Sequence, residues 1–455
     1  MKILYHLKVK FVLFFKICFF SLGLVFSQPE ITFFSKNNIE VIDSLKLALN
    51  NKNSLTGIYK LKDNNFSSDT LIYQYYQESK LIDTLFVFGL NNISDKIKSK
   101  LINEYKTISI DNNFNNIGRR IRAENYFISN EPKYIFGRTK MNLLGLQLYF
   151  DTQFHSYFSG NFGLSKNLNN FNLNGEINLH LENLIKSTGL IDIKWVRTDS
   201  LYQIINFNIF EPYILNTNFG INWEYYYGLI NGLYSKKENR IYIDFFFHNF
   251  SNFQIGYLAG KNIPTKKGKI NNYKKIKFEG ISILYEKNLL NDRFLPISGY
   301  FNSINIDFGL NNKSIFINNK IIFQKLFPIT NKIYNSLKWT AEGISILHGK
   351  VPRSSYKYFG GSTSLRGFND NQFSSPQFNI TSLEFRYILN TNFHGLFFFD
   401  FGSKKINFYD DNIIGYGIGI KKVNESTILN FAYAINNKYN MLFDGKLHIE
   451  VISRF

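Results

Sequence analysis

The chain has 455 residues, more than one ordinary domain holds. Aromatic residues make up 18% of it, with 48 Phe and 29 Tyr, yet no internal stretch approaches the roughly 20 continuous apolar residues of a spanning helix, which argues against a helical membrane protein. A formal charge of +19 would suit a nucleic-acid partner, because lysine and arginine neutralise phosphates, but the signs of export that follow argue against nucleic acid.

Lys2, Lys8 and Lys10 precede a mainly apolar run from Phe11 to Phe26 that is interrupted only by Lys16. Val25 and Ser27 occupy the small-residue positions before Gln28, so residues 1–27 are predicted to be a cleaved signal peptide. An uncleaved anchor is the alternative, and the short run and internal Lys16 weigh against it. The only cysteine, Cys18, lies inside this segment, so the mature chain would have no disulfide and no thiolate metal site.

Residues 28–82 hold a helical candidate at 41–49 and apolar stretches at 55–61 and 71–76, which predict a degenerate module or an extended leader. Residues 83–137 predict a small α+β unit. A strand over 83–88 is followed by Ser94 as an N-cap, then by Ile97, Leu101, Ile102 and Tyr105 at helical spacing. A second helix over 114–125 and strands at 126–129 and 133–136 would complete it.

From 138 to 455 the pattern becomes period-two alternation broken by clusters of Asn, Gly, Ser and Lys, which means strands with two unlike faces. Phe171, Leu173, Ile177, Leu179 and Leu181 oppose Asn172, Asn174, Glu176, Asn178 and His180; Ile304, Ile306 and Phe308 oppose Ser303, Asn305 and Asp307. About sixteen strands are expected, near 155–164, 169–183, 187–196, 201–211, 217–227, 240–247, 252–260, 276–286, 299–309, 313–325, 333–347, 378–388, 394–401, 413–421, 427–434 and 445–455. Alternate connections, such as 228–239, 261–275 and 348–377, read as the longer set, as at the outer end of a membrane barrel. Lysines between Lys261 and Lys277 could meet anionic groups of surface lipids, or simply be solvated.

Alternation alone fits any barrel with a polar interior, so motifs must decide. Tyr358-Phe359-Gly360-Gly361-Ser362-Thr363-Ser364-Leu365-Arg366-Gly367-Phe368 lies in the longest connection, and Glu384 and Asp400 fall on the interior face of the next two strands. Asp292, Pro296 and Gly299 mark an earlier turn, Gly415, Gly417 and Gly419 alternate on a later strand, and the chain ends on Phe455. Together these resemble the BamA/TamA superfamily of outer-membrane assembly factors, of bacterial surface antigen type. The closest correspondence is the Gly-Gly to Arg-Gly-Phe stretch, and the unit at 83–137 is similar to that family's periplasmic POTRA module.

What the resemblance implies is an all-β transmembrane barrel of antiparallel strands preceded by a small α+β POTRA-like module in the periplasm of a Gram-negative bacterium. Gly360, Gly361, Leu365, Arg366, Gly367 and Phe368 would form a loop folded into the barrel. Arg366 would be locked onto Glu384 and Asp400, Asp292, Pro296 and Gly299 would form a family turn, and Phe455 would be a C-terminal export signal. It implies insertion or translocation of unfolded client proteins in contact with outer-membrane lipid, with accessory lipoproteins as further partners, and no catalytic residue, cofactor, metal or nucleic acid. The rivals are a specialised secretion transporter of the same superfamily, a passive porin-like channel, and a barrel lipid hydrolase. The seven His fall in no recognisable serine or metal motif, which disfavours the hydrolase. A channel would leave Arg366 and the 83–137 unit unexplained.

Overall fold

The computed structural model describes residues 30–33, 38–51, 57–65, 70–77, 81–106, 114–138, 143–167, 170–197, 199–214, 217, 219–245, 252–362, 364–405, 413–437 and 445–454. The signal segment, Cys18 and Phe455 lie outside the described residues. The chain divides into two compact units, residues 1–81 with 109–112, and 82–108 with 113–455.

In the first unit, β1 (Glu30–Phe33), α1 (Asn38–Asn51), β2 (Gly57–Asn65) and β3 (Thr70–Gln77) form an antiparallel sheet in the order β1-β3-β2 with one helix. The second unit opens with β4 (Thr84–Phe88), α2 (Asp95–Lys106), α3 (Phe114–Glu124), β5 (Lys133–Arg138) and β6 (Leu144–Tyr149), in the order β4-β6-β5. The strand orders correspond, but β1 runs antiparallel to β3 whereas β4 runs parallel to β6. The helix count explains this. Each element reverses the chain direction, so two intervening helices return the last strand parallel to the first, and one helix leaves it antiparallel.

The helical spacing of Ile97, Leu101 and Tyr105 on α2, and of Ile117 and Ile121 on α3, buries these side chains together with Leu144, Leu146 and Leu148 of β6. Two expectations fail here. Residues 126–129 form a turn with one isolated bridge, Ile128 to Thr152, not a strand. The third strand of this sheet is Leu144–Tyr149, beyond the expected boundary at 137. Its alternation has the same period as a barrel strand, and period alone does not say which sheet a strand joins.

The barrel follows as β7 (Tyr157–Asn167), β8 (Asn170–Glu182), β9 (Leu190–Arg197), β10 (Gln203–Glu211), β11 (Phe219–Ile230), β12 (Tyr234–Phe245), β13 (Asn252–Pro264) and β14 (Ile276–Asn288). It continues with β15 (Gly299–Asn311), β16 (Ser314–Pro328), β17 (Ile333–Ile346), then, after a loop hairpin, β20 (Gln377–Asn390), β21 (Phe393–Ser403), β22 (Ile413–Val423), β23 (Thr427–Asn436) and β24 (Lys446–Arg454). These sixteen strands close in sequence order, each antiparallel to its neighbours, and β24 meets β7.

The burial pattern is inverted relative to a soluble protein. On β15, Asp307 is fully buried inside while Phe308 is 53% exposed outside. An apolar exterior around a polar interior is what hydrocarbon requires of a closed sheet. One expected connection, 228–239, is not a long loop. β11 and β12 run on to a turn at 231–233, in which Asn231 and Gly232 both have positive φ and Leu233 N–H donates to the Ile230 carbonyl. Asn-Gly in this geometry suits the twist of a hairpin. The connection at 312–313 is also short, and the longest connections at this end are 265–275 and 347–376.

The α+β module sits against the other end. Ser94 N–H donates to the Lys186 carbonyl (2.9 Å), Asn183 Nδ2 to the Asn92 carbonyl (2.8 Å), and Tyr126 hydroxyl to the Thr188 carbonyl (3.0 Å). Tyr213 donates to Asn125 Oδ1 (3.2 Å), and Lys100 Nζ lies 4.0 Å from the Tyr213 ring centroid.

Burial of Glu124 in this junction, reinforced by the Glu104 charge and opposed by Arg120 and Lys100, pushes its pKa up to about 8. A carboxyl raised in the folded state favours folding at low pH, and that contribution is lost as pH rises from the unfolded value through the folded one. Glu124→Gln is therefore expected to stabilise the module relative to the native residue at pH 9 and to make much less difference at pH 5. Hydrogen exchange of α3 amides at the two pH values measures this, and an equal effect at both would contradict it.

Candidate functional site

The connection from β17 to β20 folds back into the barrel. Its ends pair as a short hairpin, β18 (Lys357–Phe359) with β19 (Phe373–Ser375). Between them the chain turns tightly. Gly360, Gly361 and Gly367 all have φ between +88° and +118°, a region closed to most side chains, and a Cβ on Gly361 would lie 1.7 Å from Asp370 Oδ1. Phe359, Leu365, Phe368 and Phe373 bury themselves with Phe378 and Ile380 of β20 and Ile413 of β22, an apolar cluster inside the lumen. Polar ties reach the wall as well: Lys357 Nζ meets Glu342 at 3.0 Å, Asn262 Nδ2 donates to the Ser354 carbonyl at 3.1 Å, and Asn371 Nδ2 to the Tyr202 hydroxyl at 2.8 Å.

This fold delivers Arg366 to the barrel wall. Nε donates to Asp400 Oδ2 (2.8 Å) and Nη2 to Asp400 Oδ1 (2.7 Å), a bidentate pairing, while Nη1 reaches Glu384 Oε1 (2.7 Å). Nη2 also donates to Ser382 Oγ (2.9 Å), and the Arg366 backbone N–H donates to Asp400 Oδ2 (3.0 Å). The guanidinium carbon lies 3.6 Å from the ring centroid of Phe398. Asp400 is fully buried and Arg366 largely so. One planar cation thus satisfies two carboxylates and stacks on an aromatic face, which a lysine ammonium cannot do. Glu384 is shared with Arg386, whose Nε lies 2.7 Å away, so the charges alternate along the wall.

The loop can approach because β22 is bare there. A Cβ on Gly415 would lie 1.9 Å from the Arg366 carbonyl oxygen. Gly417 leaves space for the Phe398 ring on which the guanidinium stacks. Asn436 Nδ2 donates to the Gly367 carbonyl from β23, so the loop lies against four consecutive strands, β20 to β23.

The site residues expected from sequence separate into two groups. Gly360, Gly361, Leu365, Arg366, Gly367, Phe368, Glu384 and Asp400 come together here. Asp292, Pro296 and Gly299 lie far away in chain and space, at the module end of the barrel. There Asp292 Oδ1 accepts from the Phe294 and Leu295 N–H groups (both 2.7 Å), and Gly299 at φ +100° passes close to the Leu289 carbonyl. Within that turn Arg293 forms an ion pair with Glu182 and lies over the Tyr126 ring, joining barrel and module.

Sequence reasoning missed three features. Ser382 and Phe398 complete the Arg366 site, and both were legible as interior positions flanking Glu384 and Asp400. A second cation, Arg240 on β12, binds Asp307 on β15 through two 3.0 Å contacts, with Ser282 Oγ (2.6 Å) and Asn318 Nδ2 (2.6 Å) also donating to Asp307. An arginine at an interior position of a predicted strand was the available signal.

Arg366→Lys is expected to release the loop although it keeps the charge. Arg366→Ala leaves the buried Asp400 carboxylate without its cation, while Glu384 keeps Arg386, and the loss costs about 3–5 kcal/mol in a dry site and less where water enters. Gly415→Ala should release the loop without touching any charge. Proteolysis within 347–376 on the folded protein reads all three, and native-like protection of the lysine variant would contradict the bidentate account.

A family model described as the Omp85 superfamily domain matches residues 169–441. No curated protein matches the chain. Among solved structures, BamA from Haemophilus ducreyi lacking POTRA domains 1-3 is similar at 15% identity and a TM-score of 0.51, over 93% of this chain and 94% of that one. CdiB from Acinetobacter baumannii is similar at 12% identity and 0.56, over 91% and 82%, and CdiB from Escherichia coli at 12% and 0.56, over 92% and 84%. At these identities the structures speak for the fold, an outer-membrane barrel behind a small α+β region, while the sequence match speaks for descent. Because that match spans more than half of the sequence, the chain belongs to the Omp85 superfamily.

Proposed function

We propose that this protein inserts or translocates client outer-membrane proteins through the seam between β7 and β24, without chemical turnover. The observation that carries this reading is the seam itself. Neighbouring strands elsewhere pair along most of their length, as β16 and β17 do from Phe316↔Ile346 to Pro328↔Tyr334. Across the seam the described residues pair only at Ser453↔Phe158 and Arg454↔Tyr157.

The rest of the β7 edge presents backbone donors and acceptors without a ladder partner from β24. Unsatisfied backbone groups are expensive against hydrocarbon, so an extended segment that supplies them gains pairing energy on arrival. The client would be satisfied before it meets lipid. The module, in this reading periplasmic, stands at the barrel end where such a segment enters, and accessory lipoproteins would act there.

Phe158→Cys with Ser453→Cys tests the proposal, because register partners on antiparallel strands lie within disulfide range. In cells depleted of the native chain, the oxidised pair is expected to fail to maintain outer-membrane proteins, with recovery on reduction and with each single variant active. Loss of many barrel proteins would indicate a general insertase, and loss of one or a few a specialised translocator. Full function of the oxidised pair, or a defect confined to small-solute uptake, would overturn the proposal.

A further inference from the structure

The exterior of β11 to β15 is ordered in rows by its register. Ile241, Tyr257, Ile281 and Phe308 lie side by side across four strands, each about half exposed, and Ile243, Ile255, Ile283 and Ile306 form the next row. These rows are the apolar band.

Four residues further along the strands, away from the module, the same exterior face carries a different row. Lys237 of β12 pairs with Lys261 of β13, which pairs with Lys277 of β14, and Tyr227 of β11 flanks them with its ring 5.6 Å from Lys237 Nζ. All three lysines are exposed. Like charges directly opposite one another destabilise a sheet, and here they recur on three consecutive strands. With strands about 4.8 Å apart, the three ammonium stems span roughly 10 Å.

Above this row the connection 265–275 adds exposed Lys266, Lys267, Lys269, Lys274 and Lys275. The connection is built. Thr265 Oγ accepts from the Gly268 N–H (3.0 Å) and donates to the Gly232 carbonyl (2.6 Å), Tyr273 stacks on Tyr234, and Gly268 packs on the Leu233 carbonyl. Among the described residues none of these eight lysines forms an ion pair with a carboxylate. Glu279, one row nearer the apolar band, accepts instead from the Tyr257 hydroxyl (3.2 Å).

We propose that the Lys237–Lys261–Lys277 row, with the lysines of 265–275 above it, binds the phosphate groups of a membrane lipid whose acyl chains lie along the Ile241–Tyr257–Ile281–Phe308 row. The amphiphilic arrangement selects a lipid over a soluble anion. The cations begin about 13 Å along the strands from that apolar row, which is headgroup distance once strand tilt is included. They also face outward from the barrel wall, where a lipid lies alongside. Binding there relieves the repulsion within the row and anchors the β12–β14 side of the wall, opposite the seam in strand order.

The test uses the full chain in detergent or nanodiscs, with lipid A as the phosphorylated probe and its fully dephosphorylated form as the control, read by native mass spectrometry. The native chain is expected to retain lipid A in preference to the dephosphorylated form. Each lysine near an anionic headgroup contributes about fivefold in affinity, so K237Q/K261Q/K277Q should bind roughly 100-fold more weakly. Heat-modifiability on gels reports whether the triple variant has folded; if it has not, K261Q alone should show about a fivefold loss. Undiminished binding by a folded variant overturns the proposal. So does displacement of lipid A by equimolar inorganic phosphate, which would mark a soluble-anion site.

Discussion

Asp400 is a carboxylate buried in the wall of a barrel whose outside is hydrocarbon, and its pairing with Arg366 is the interaction on which the interior of this protein depends. A sheet that crosses a membrane must close on itself to satisfy its backbone, and closing leaves a polar interior to be filled. Here the filling is a loop from the far end of the barrel. The loop carries its own apolar cluster, which would be exposed to water if the loop swung out, and a cation that the wall is shaped to receive. The carboxylates at 384 and 400, the hydroxyl of Ser382 and the ring of Phe398 each serve that one guanidinium, and the missing side chain at Gly415 makes room for the Arg366 backbone.

Side-chain order is unevenly distributed around the wall. Arg366 ties the loop to β20 and β21, and Arg240 with Asp307 ties β12 to β15 across two intervening strands. At β7 and β24 two register pairs remain. A barrel stiffened by buried ionic networks on these two stretches of its wall concentrates any opening where pairing is sparse. Such networks do little for net stability when compared with apolar packing, but they specify one arrangement, and breaking one partner is costly. The same wall is therefore tied firmly at the loop and paired sparsely at the seam.

Much of this was legible in the residues. All sixteen barrel strands were legible because membrane strands alternate strictly between lipid and lumen, and Arg366 was legible because the stretch from Gly360-Gly361 to Arg366-Gly367-Phe368 resembles a family motif, whose three glycines the structure places at positive φ. The errors have physical causes. Leu144–Tyr149 alternates like a barrel strand yet joins the module sheet, since pairing partners are decided by tertiary contacts. The 228–239 segment holds two Lys, two Asn and two Gly and resembles a loop, but most of it continues β11 and β12, and Asn231-Gly232 is its hairpin signal. Arg240 was legible as an interior arginine but its pairing with Asp307 was not, because the residues stand three strands apart and only the register brings them together. The lysines from Lys261 to Lys277 stood out in the sequence, but their alignment with Lys237 in one row depends on the register.

The most direct test of the central claim is reconstitution of the purified chain into liposomes, followed by dilution of a urea-unfolded outer-membrane barrel protein into them. Folding is read by protease protection and gel mobility over time. The account predicts that the client folds faster with this protein present than in empty liposomes, and that an Arg366→Ala preparation loses that acceleration. An unchanged folding rate, together with solute flux through the same liposomes, would contradict it and identify a channel.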